Sequence, residues 1–286
     1  MSLSGNGSGI VRRRSVDGRL IEGGFADALP DWHGEERWLF LSPHDDDPAV
    51  SASMTLAAAV STGVQIRVRI ATDGSMGYTS AVGAAEIVAR RREETLQSFS
   101  LLGIDDVDWY DYPDARLHLW RGRMPLDEAP TAPHVVAGYT GLQNSITAEL
   151  RDFRPTRVLI MSDADYHPDH KTVHGEVMIS IFHAQGDVWP ELGPPTATVP
   201  WVHEFAAYAP FVGEPDIQFA GSAAVFERKL AAIEAFSSQT QIARLVDAVR
   251  VAGPQEYMRS YPFETYSPER YAGLFHQGGW PGDLDP

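Results

Sequence analysis

Two short stretches hold most of the side chains capable of chemistry. His44-Asp45-Asp46-Asp47 follows directly on the apolar run Trp38 to Leu41. Asp163-Ala164-Asp165-Tyr166-His167-Pro168-Asp169-His170 closes the run that begins at Thr156. Imidazoles and carboxylates form a donor set suited to zinc and other divalent ions. Carboxylates crowded at the end of a buried strand repel one another and lose water, so they must be neutralised or face solvent. A cation shared by the two stretches would hold the aspartates ionised. His44 and Asp47, three apart at a strand-to-helix turn, can converge on one ion, and His170 can reach it from the other strand end. The competing reading is that an Asp-rich turn merely caps a helix and offsets its dipole. One HxxH carries little weight by itself; two such clusters at strand ends of one sheet favour the shared ion.

The elements that must position these groups are legible as an alternation. RWLFLS (37–42) reads as a buried strand, and PAVSASMTLAAAVSTG as a helix with Pro48 in its first turn and Gly63 at its end. VQIRVRIATDG gives a strand ending at Thr72-Asp73-Gly74, and about Val82 to Leu102 a helix closed by Gly103. Strands follow at Val107–Asp114 and Thr156–Asp165, with a helix from near His170. SAAVFERKLAAIEAFSSQTQIARLVDAV reads as helical, and the segment from Gly253 as irregular cover. Strands alternating with helices predict a Rossmann-like α/β fold, a mainly parallel sheet flanked by helices. Ligands in such folds collect beyond the carboxyl ends of the strands. Two Pro-rich stretches, about 116–137 and 186–200, read as long loops near that end. Residues 1–35 read as a partly disordered leader, and 36–286 as a single domain.

The formal net charge of −16 excludes non-specific nucleic-acid binding, since no basic stripe offsets phosphate repulsion. Arg12 to Arg14 read as part of a solvated terminal segment. The absence of cysteine rules out disulfides and thiolate metal sites. No run reaches about 18 apolar residues, so no membrane span is expected. The Gly/Ser-rich start has no apolar core of a secretory signal, which makes the cytoplasm the default location.

Several motifs together carry a resemblance. The first cluster resembles the H-P-D-D-E signature of the PIG-L/LmbE-like family of metal-dependent N-acetylglucosaminyl deacetylases, and His167-Pro168-Asp169-His170 its H-P-D-H segment. Thr72 to Gly77 is similar to the family's T-x-G-x-x-G loop. Arg91 to Glu94, ahead of Leu102-Gly103, is similar to its R-x-x-E…LG helix. Asp111 to Asp114 resembles its strand ending in P-D, and Lys229-Leu230 with Ser238-Gln239 its K-L…S-Q segment. The similarity spans about Trp38 to Gln239 in the family's order.

This resemblance implies an LmbE-like domain with Zn2+, or another divalent ion, held by His44, Asp47 and His170. It makes Asp46 the general base toward zinc-bound water and His167 the acid or electrostatic partner at the tetrahedral intermediate. Arg91 and Asp114 are implied as contacts to sugar hydroxyls. The implied substrate is a small-molecule amino-sugar conjugate; the divergent first motif and the long loops favour glycosylated natural products. Two departures stand out: Asp45 replaces the family proline, with no role assignable, and Pro48 replaces the family glutamate, a carboxylate that would help orient the ligands. His174, one turn beyond His170, reads as a packing or supporting histidine. The alternatives are a zinc amidase or esterase on another conjugate, and a non-catalytic sugar- or nucleotide-binding module. The last lacks a G-x-G-x-x-G turn after the first strand of the alternation.

Overall fold

The computed structural model describes residues 7–77, 84–264, 266–269 and 271. The chain enters its sheet earlier than the sequence pattern predicts. Strands β1 (Gly9–Arg14) and β2 (Leu20–Gly23) and a short helix α1 (Phe25–Ala28) lie within the expected leader. Val11 is buried, and the arginines are tied down: Arg12 pairs with Glu22 at 2.5 Å, and Arg13 donates to the Ala28 carbonyl at 2.6 Å. The leader reading is corrected on this point for residues 9–28. Three arginines in a row hide a strand that buries one residue and sends the charged heads to its edges.

Next in the chain come β3 (Arg37–Ser42), α2 (Asp47–Ser61), β4 (Gln65–Thr72), α3 (Ala84–Leu102) and β5 (Asp106–Tyr112). The expected start of α3 near Val82 lies outside the described residues. A small ribbon of β6 (Met124–Pro125) and β7 (Tyr139–Thr140) precedes α4 (Leu142–Phe153), β8 (Arg157–Met161) and α5 (Pro168–Gln185). The chain then forms β9 (Trp201–Phe205), β10 (Ile217–Gly221), α6 (Ala223–Glu234), α7 (Ile242–Ala252) and β11 (Gln255–Tyr261). Among the described residues, nine strands form one sheet in the order β2-β1-β10-β11-β9-β8-β3-β4-β5. The strands from β9 to β5 run parallel, as predicted, and β2, β1, β10 and β11 add an antiparallel extension. The centre of the sheet, at β3 and β8, is buried on both faces. Trp38 and Phe40 of β3 pack with Met54, Leu56 and Phe99 in one core, while Leu39 and Leu41 pack with Ile160, Val173 and Val177 in the other.

Three expectations fail for identifiable reasons. The C-terminal helical stretch is broken: α6 stops at Glu234, and the turn through Ser237-Ser238-Gln239 leads into α7. Residues 265, 270 and 272–286 of the segment after Gly253 lie outside the described residues, while Gln255–Tyr261 of that segment form β11, inserted between β10 and β9. Its polar alternation hides a strand that buries Glu256 and Met258. Of the two long loops, 116–137 begins directly after Asp114 at the carboxyl end of β5. The 186–200 loop does not lie at that end. It joins the far end of α5, 18 residues long or about 27 Å, to the amino end of β9.

His203 of β9 offers a prediction about stability. Its ring is buried, with Nε2 3.3 Å from Arg157 Nη1 and Nδ1 without a partner. Burial, and then the Arg157 charge, push its pKa down to about 3. The unfolded imidazole protonates near 6.5, so between these values the unfolded state binds more protons. Stability therefore falls as pH drops through that window, by up to about 1.4 kcal/mol per pH unit. His203→Gln keeps an acceptor for Arg157. It is expected to flatten the pH dependence of the urea midpoint between pH 6.5 and 4 by close to one proton. An unchanged slope would contradict a neutral, buried His203.

Candidate functional site

The sheet order explains where a site must lie. From β3 the chain moves to β4 and β5 on one side, then returns as β8 on the other. The loops leaving β3 and β8 at their carboxyl ends diverge there and open a crevice. His44 leaves β3 on one wall; His167 and His170 leave β8 on the other. Asp47 is the first residue of α2 and Pro168 the first of α5, so both clusters sit at helix amino termini, where the dipole favours carboxylates.

His44 Nδ1, His170 Nε2 and Asp47 Oδ2 converge. The two nitrogens are 3.3 Å apart, and the carboxylate oxygen is 3.2 Å from His44 Nδ1 and 3.1 Å from His170 Nε2. All three residues are buried. Ligands bound at about 2.0–2.2 Å in a tetrahedron stand roughly 3.3–3.5 Å apart, so the edges of this triangle match a shared ion. The outward ring nitrogens meet carboxylates. His44 Nε2 lies 3.3 Å from Asp114 Oδ1 and 3.6 Å from Asp169 Oδ2; His170 Nδ1 lies 3.2 Å from Asp165 Oδ2. These are charge contacts rather than hydrogen bonds, since neither nitrogen has a hydrogen-bond partner; carboxylates beside metal-binding histidines raise their basicity. Asp47 Oδ2 also accepts the His44 backbone N–H at 3.0 Å, while the second oxygen, Oδ1, is buried with no hydrogen-bond partner.

Electrostatics reflects this crowding. Burial works against a charge on His44, but Asp114, Asp169 and Asp47 outweigh it and raise its pKa well above the ordinary value. Burial alone would raise the Asp47 carboxyl; His170 and His44 overcome that and depress it. His167 is displaced the other way, lowered by burial and then by His44 and His170. Its Nδ1 accepts the Asp169 N–H at 3.2 Å, so the neutral ring carries its proton on Nε2. Its ring stands edge-on to His44 with centroids 4.5 Å apart. Ligand atoms of His44, His167 and His170 all fall within 4.8 Å of one another.

The remaining predicted residues lie close by, each with a defined partner. Asp46 stands at the N-cap position of α2 without a side-chain capping bond and is partly exposed; its Oδ2 accepts from Gln239 Nε2 at 2.5 Å. Asp114 Oδ2 accepts the Met76 N–H at 3.2 Å. Arg91 reaches the site, but its guanidinium is taken by Asp45: Nε donates to Oδ2 at 2.9 Å, and Nη2 to Oδ1. Gly77 makes room for it, since a Cβ there would stand 1.9 Å from Arg91 Nη1. The three consecutive aspartates are thus held in three different ways. Asp45 is neutralised by Arg91, Asp46 is held by an amide, and Asp47 lies between two imidazoles.

Sequence reasoning quoted Ser238-Gln239 without a role and missed Tyr208. Glu94 of α3 accepts the Ser237 hydroxyl at 2.9 Å, the Ser238 N–H at 2.7 Å and the Ser238 hydroxyl at 2.7 Å. It thereby fixes the turn that carries Gln239 to Asp46. Tyr208, in the β9–β10 loop, has its ring centroid 5.6 Å from that of His170. Its phenol is pushed up by the Asp46 charge and then by burial. No motif marks Tyr208. His174 Nε2 donates to Glu204 Oε1 at 2.8 Å rather than facing the centre. Asp163, His174 and Glu204 form a further cation-type grouping, but Arg259 Nη2 lies 2.6 Å from Glu204 and opposes an ion there. A cavity of about 520 Å³ opens beside Asp46, lined also by Arg91, Tyr208, Gln239, Arg244 and Leu245.

Residues 39–181 match the family PIG-L, GlcNAc-PI de-N-acetylase. The chain belongs to this family. It is 28% identical over 138 residues to the diacetylchitobiose deacetylase of Thermococcus kodakarensis, covering 46% of this chain and 44% of that protein. It is 30% identical over 145 residues to the 2'-N-acetylparomamine deacetylase of Streptomyces fradiae, covering 49% and 50%. The chain thus spans about half the length of these curated relatives. The N,N'-diacetylchitobiose deacetylase structure from Pyrococcus horikoshii superposes with a TM-score of 0.64 at 20% identity, covering 84% of this chain and 88% of that one. That likeness places this PIG-L chain in the same fold. No described helix is long and apolar enough to cross a membrane.

Proposed function

We propose that this PIG-L protein is a metal-dependent hydrolase that removes the acetyl group from an N-acetylglucosamine-type amide. The convergence of His44 Nδ1, Asp47 Oδ2 and His170 Nε2 from two strand ends carries the reading. Family membership and the names of the two curated relatives support it. His44, Asp47 and His170 would hold the ion, with zinc the first candidate for such a nitrogen and oxygen set. When bound, the ion supplies Lewis-acid activation of water and of the amide carbonyl.

The protein's own groups divide the proton work. Asp46, outside the ligand triangle, takes a proton from the attacking water. Gln239 orients the Asp46 carboxylate by donating to one oxygen and leaving the other for that water. His167, with its proton on Nε2, donates to the oxygen that becomes negative as water adds to the carbonyl carbon. The C–N bond then breaks, a proton passes to the leaving nitrogen, and the products are the free amine and acetate. Arg91 and Asp114 line the sugar side. The cavity beside Asp46 supports an acceptor larger than one ring, with the exposed Tyr208 face as a platform. The 186–200 loop lies at the other end of the sheet and does not line that cavity. The absence of cysteine agrees with a cytoplasmic location.

The test is amine and acetate release from N,N'-diacetylchitobiose by protein stripped of metal and reloaded with zinc. Turnover that disappears with chelator and returns with the ion is expected. A zinc-loaded protein that releases no amine from acetylated glycosamines would overturn the reading. Gln239→Ala is expected to lower kcat about tenfold or more with little change in KM, because the base loses its orientation but not its charge. An unchanged kcat would remove Gln239 from the machinery.

A further inference from the structure

The cavity beside Asp46 carries a charge that the proton work does not use. Helix α7 lines it with Gln241, Arg244, Leu245 and Ala248, spaced three and four apart and therefore on one stripe of the helix. The adjoining stripe, Ile242, Val246 and Val249, packs on Leu230, Ile233 and Phe236 and fixes α7 to the core. Arg244 is thus held at the cavity by its helix. Yet it is exposed, and among the described residues no carboxylate lies within ion-pair reach of it. Asp247, three residues on, pairs with Arg250 instead, at 3.5 Å. Helix stability does not account for this arginine either. It stands in the first turn of α7, where the helix dipole opposes a cation and no acidic side chain compensates. The other guanidinium of the cavity wall, on Arg91, is already matched by the buried Asp45 at Nε and Nη2.

We propose that Arg244 is a specificity-determining residue that pairs with a carboxylate on the group attached to the amino sugar, so that the preferred substrate is an acidic conjugate. The proposal rests on the deacetylase reading and adds the charge class of the acceptor. Asp46 belongs both to the reaction and to the cavity wall, so a group seated there is part of the molecule being cleaved. A guanidinium fork matches the two oxygens of a carboxylate. Val50, Ala207, Leu245 and Ala248 supply an apolar wall with the Tyr208 ring, which suits an acid carried on an apolar or aromatic body. One unpaired cation fits one negative charge. A dianionic phosphate would exceed it and would be repelled by the Asp46 carboxylate of the same wall.

Equilibrium binding tests this without relying on turnover. Calorimetry on the zinc-loaded protein uses glucosaminides of two lengths, 4-carboxyphenyl and 4-(carboxymethyl)phenyl, each compared with its own amide. Within a pair the shape is kept and only the charge differs. For at least one length, the wild type is expected to bind the acid about fivefold or more tightly than the amide, a preference that shrinks as salt is raised. Arg244→Met keeps an apolar stem and should bring that ratio to about one, which separates the guanidinium from a carboxylate that reaches the ion or Arg91. Arg244→Lys keeps the charge without the fork and should retain a smaller preference. Wild-type ratios within about twofold of one at both lengths, or a preference that survives Arg244→Met, overturn the proposal. Amine release from the N-acetylated amide probes by the wild type is scored separately. Its absence would count against the deacetylase reading, while the affinity ratios alone decide the role of Arg244.

Discussion

Asp46→Asn is expected to keep its divalent ion and lose turnover by about 10²- to 10⁴-fold, the range for removing a positioned general base. The argument is one of separation. Asp47 lies inside the triangle with His44 and His170, whereas the Asp46 side chain turns toward Gln239 and the cavity. Asparagine has the same shape and still offers Gln239 an oxygen to accept from, so the turn around His44 and the ligand triangle should persist. What it cannot do is take a proton from water. Metal content by emission spectroscopy and kcat on the same preparation check both halves. Turnover within twofold of wild type would assign the base elsewhere, and loss of the ion would mean that Asp46 is part of the metal centre.

Lys229→Met is expected to cost roughly 3–5 kcal/mol, the range for breaking a buried ion pair by removing one partner. Against a total of about 5–15 kcal/mol for a typical folded protein, this is the largest stability effect foreseen here. Lys229 of α6 and Glu256 of β11 are both buried, with Nζ 2.7 Å from Oε1. Glu256 also accepts the N–H groups of Met54 at 3.0 Å and Thr55 at 2.8 Å, and the Thr55 hydroxyl at 2.7 Å. One carboxylate thus fastens α2, whose first turn carries Asp47, to α6 and to the sheet. Methionine fills the volume but leaves Glu256 buried without its cation. Urea denaturation at neutral pH measures the loss. The double variant with Glu256→Gln should recover part of it, since the charge is then gone from both sides. A loss below about 1 kcal/mol for Lys229→Met would show that the pair is not the tie described.

The same residues mark how far the sequence could be read. β3 and β8 were legible because both their faces are buried, which writes an unbroken apolar run into RWLFL and RVLIM. β11 was not, because Glu256 points into the core and satisfies itself there on α2 and Lys229; in sequence it reads as one more polar residue. β1 was hidden in the same way by its arginines. At the site, residue type and spacing marked both strand-end clusters and allowed His44 and Asp47 to meet His170, while the ligand set itself was what the family resemblance implied. The partners that hold the clusters did not. Asp45 meets Arg91 from 46 residues away, and Asp46 meets Gln239 from 193 residues away, so local spacing carries no signal for either. The 186–200 loop was assigned to the wrong end because proline content marks a loop but not the end of the helix it leaves. Only the length and direction of α5 decide that.

The proposed divalent ion between the β3 and β8 loops neutralises Asp47, as Arg91 neutralises Asp45 and Gln239 holds Asp46. Anomalous diffraction at the zinc edge from zinc-loaded crystals tests it most directly. The expected result is a single strong peak bonded to His44 Nδ1, Asp47 Oδ2 and His170 Nε2. No peak among these three residues at full zinc loading, or a peak only at Asp163, His174 and Glu204, would contradict it.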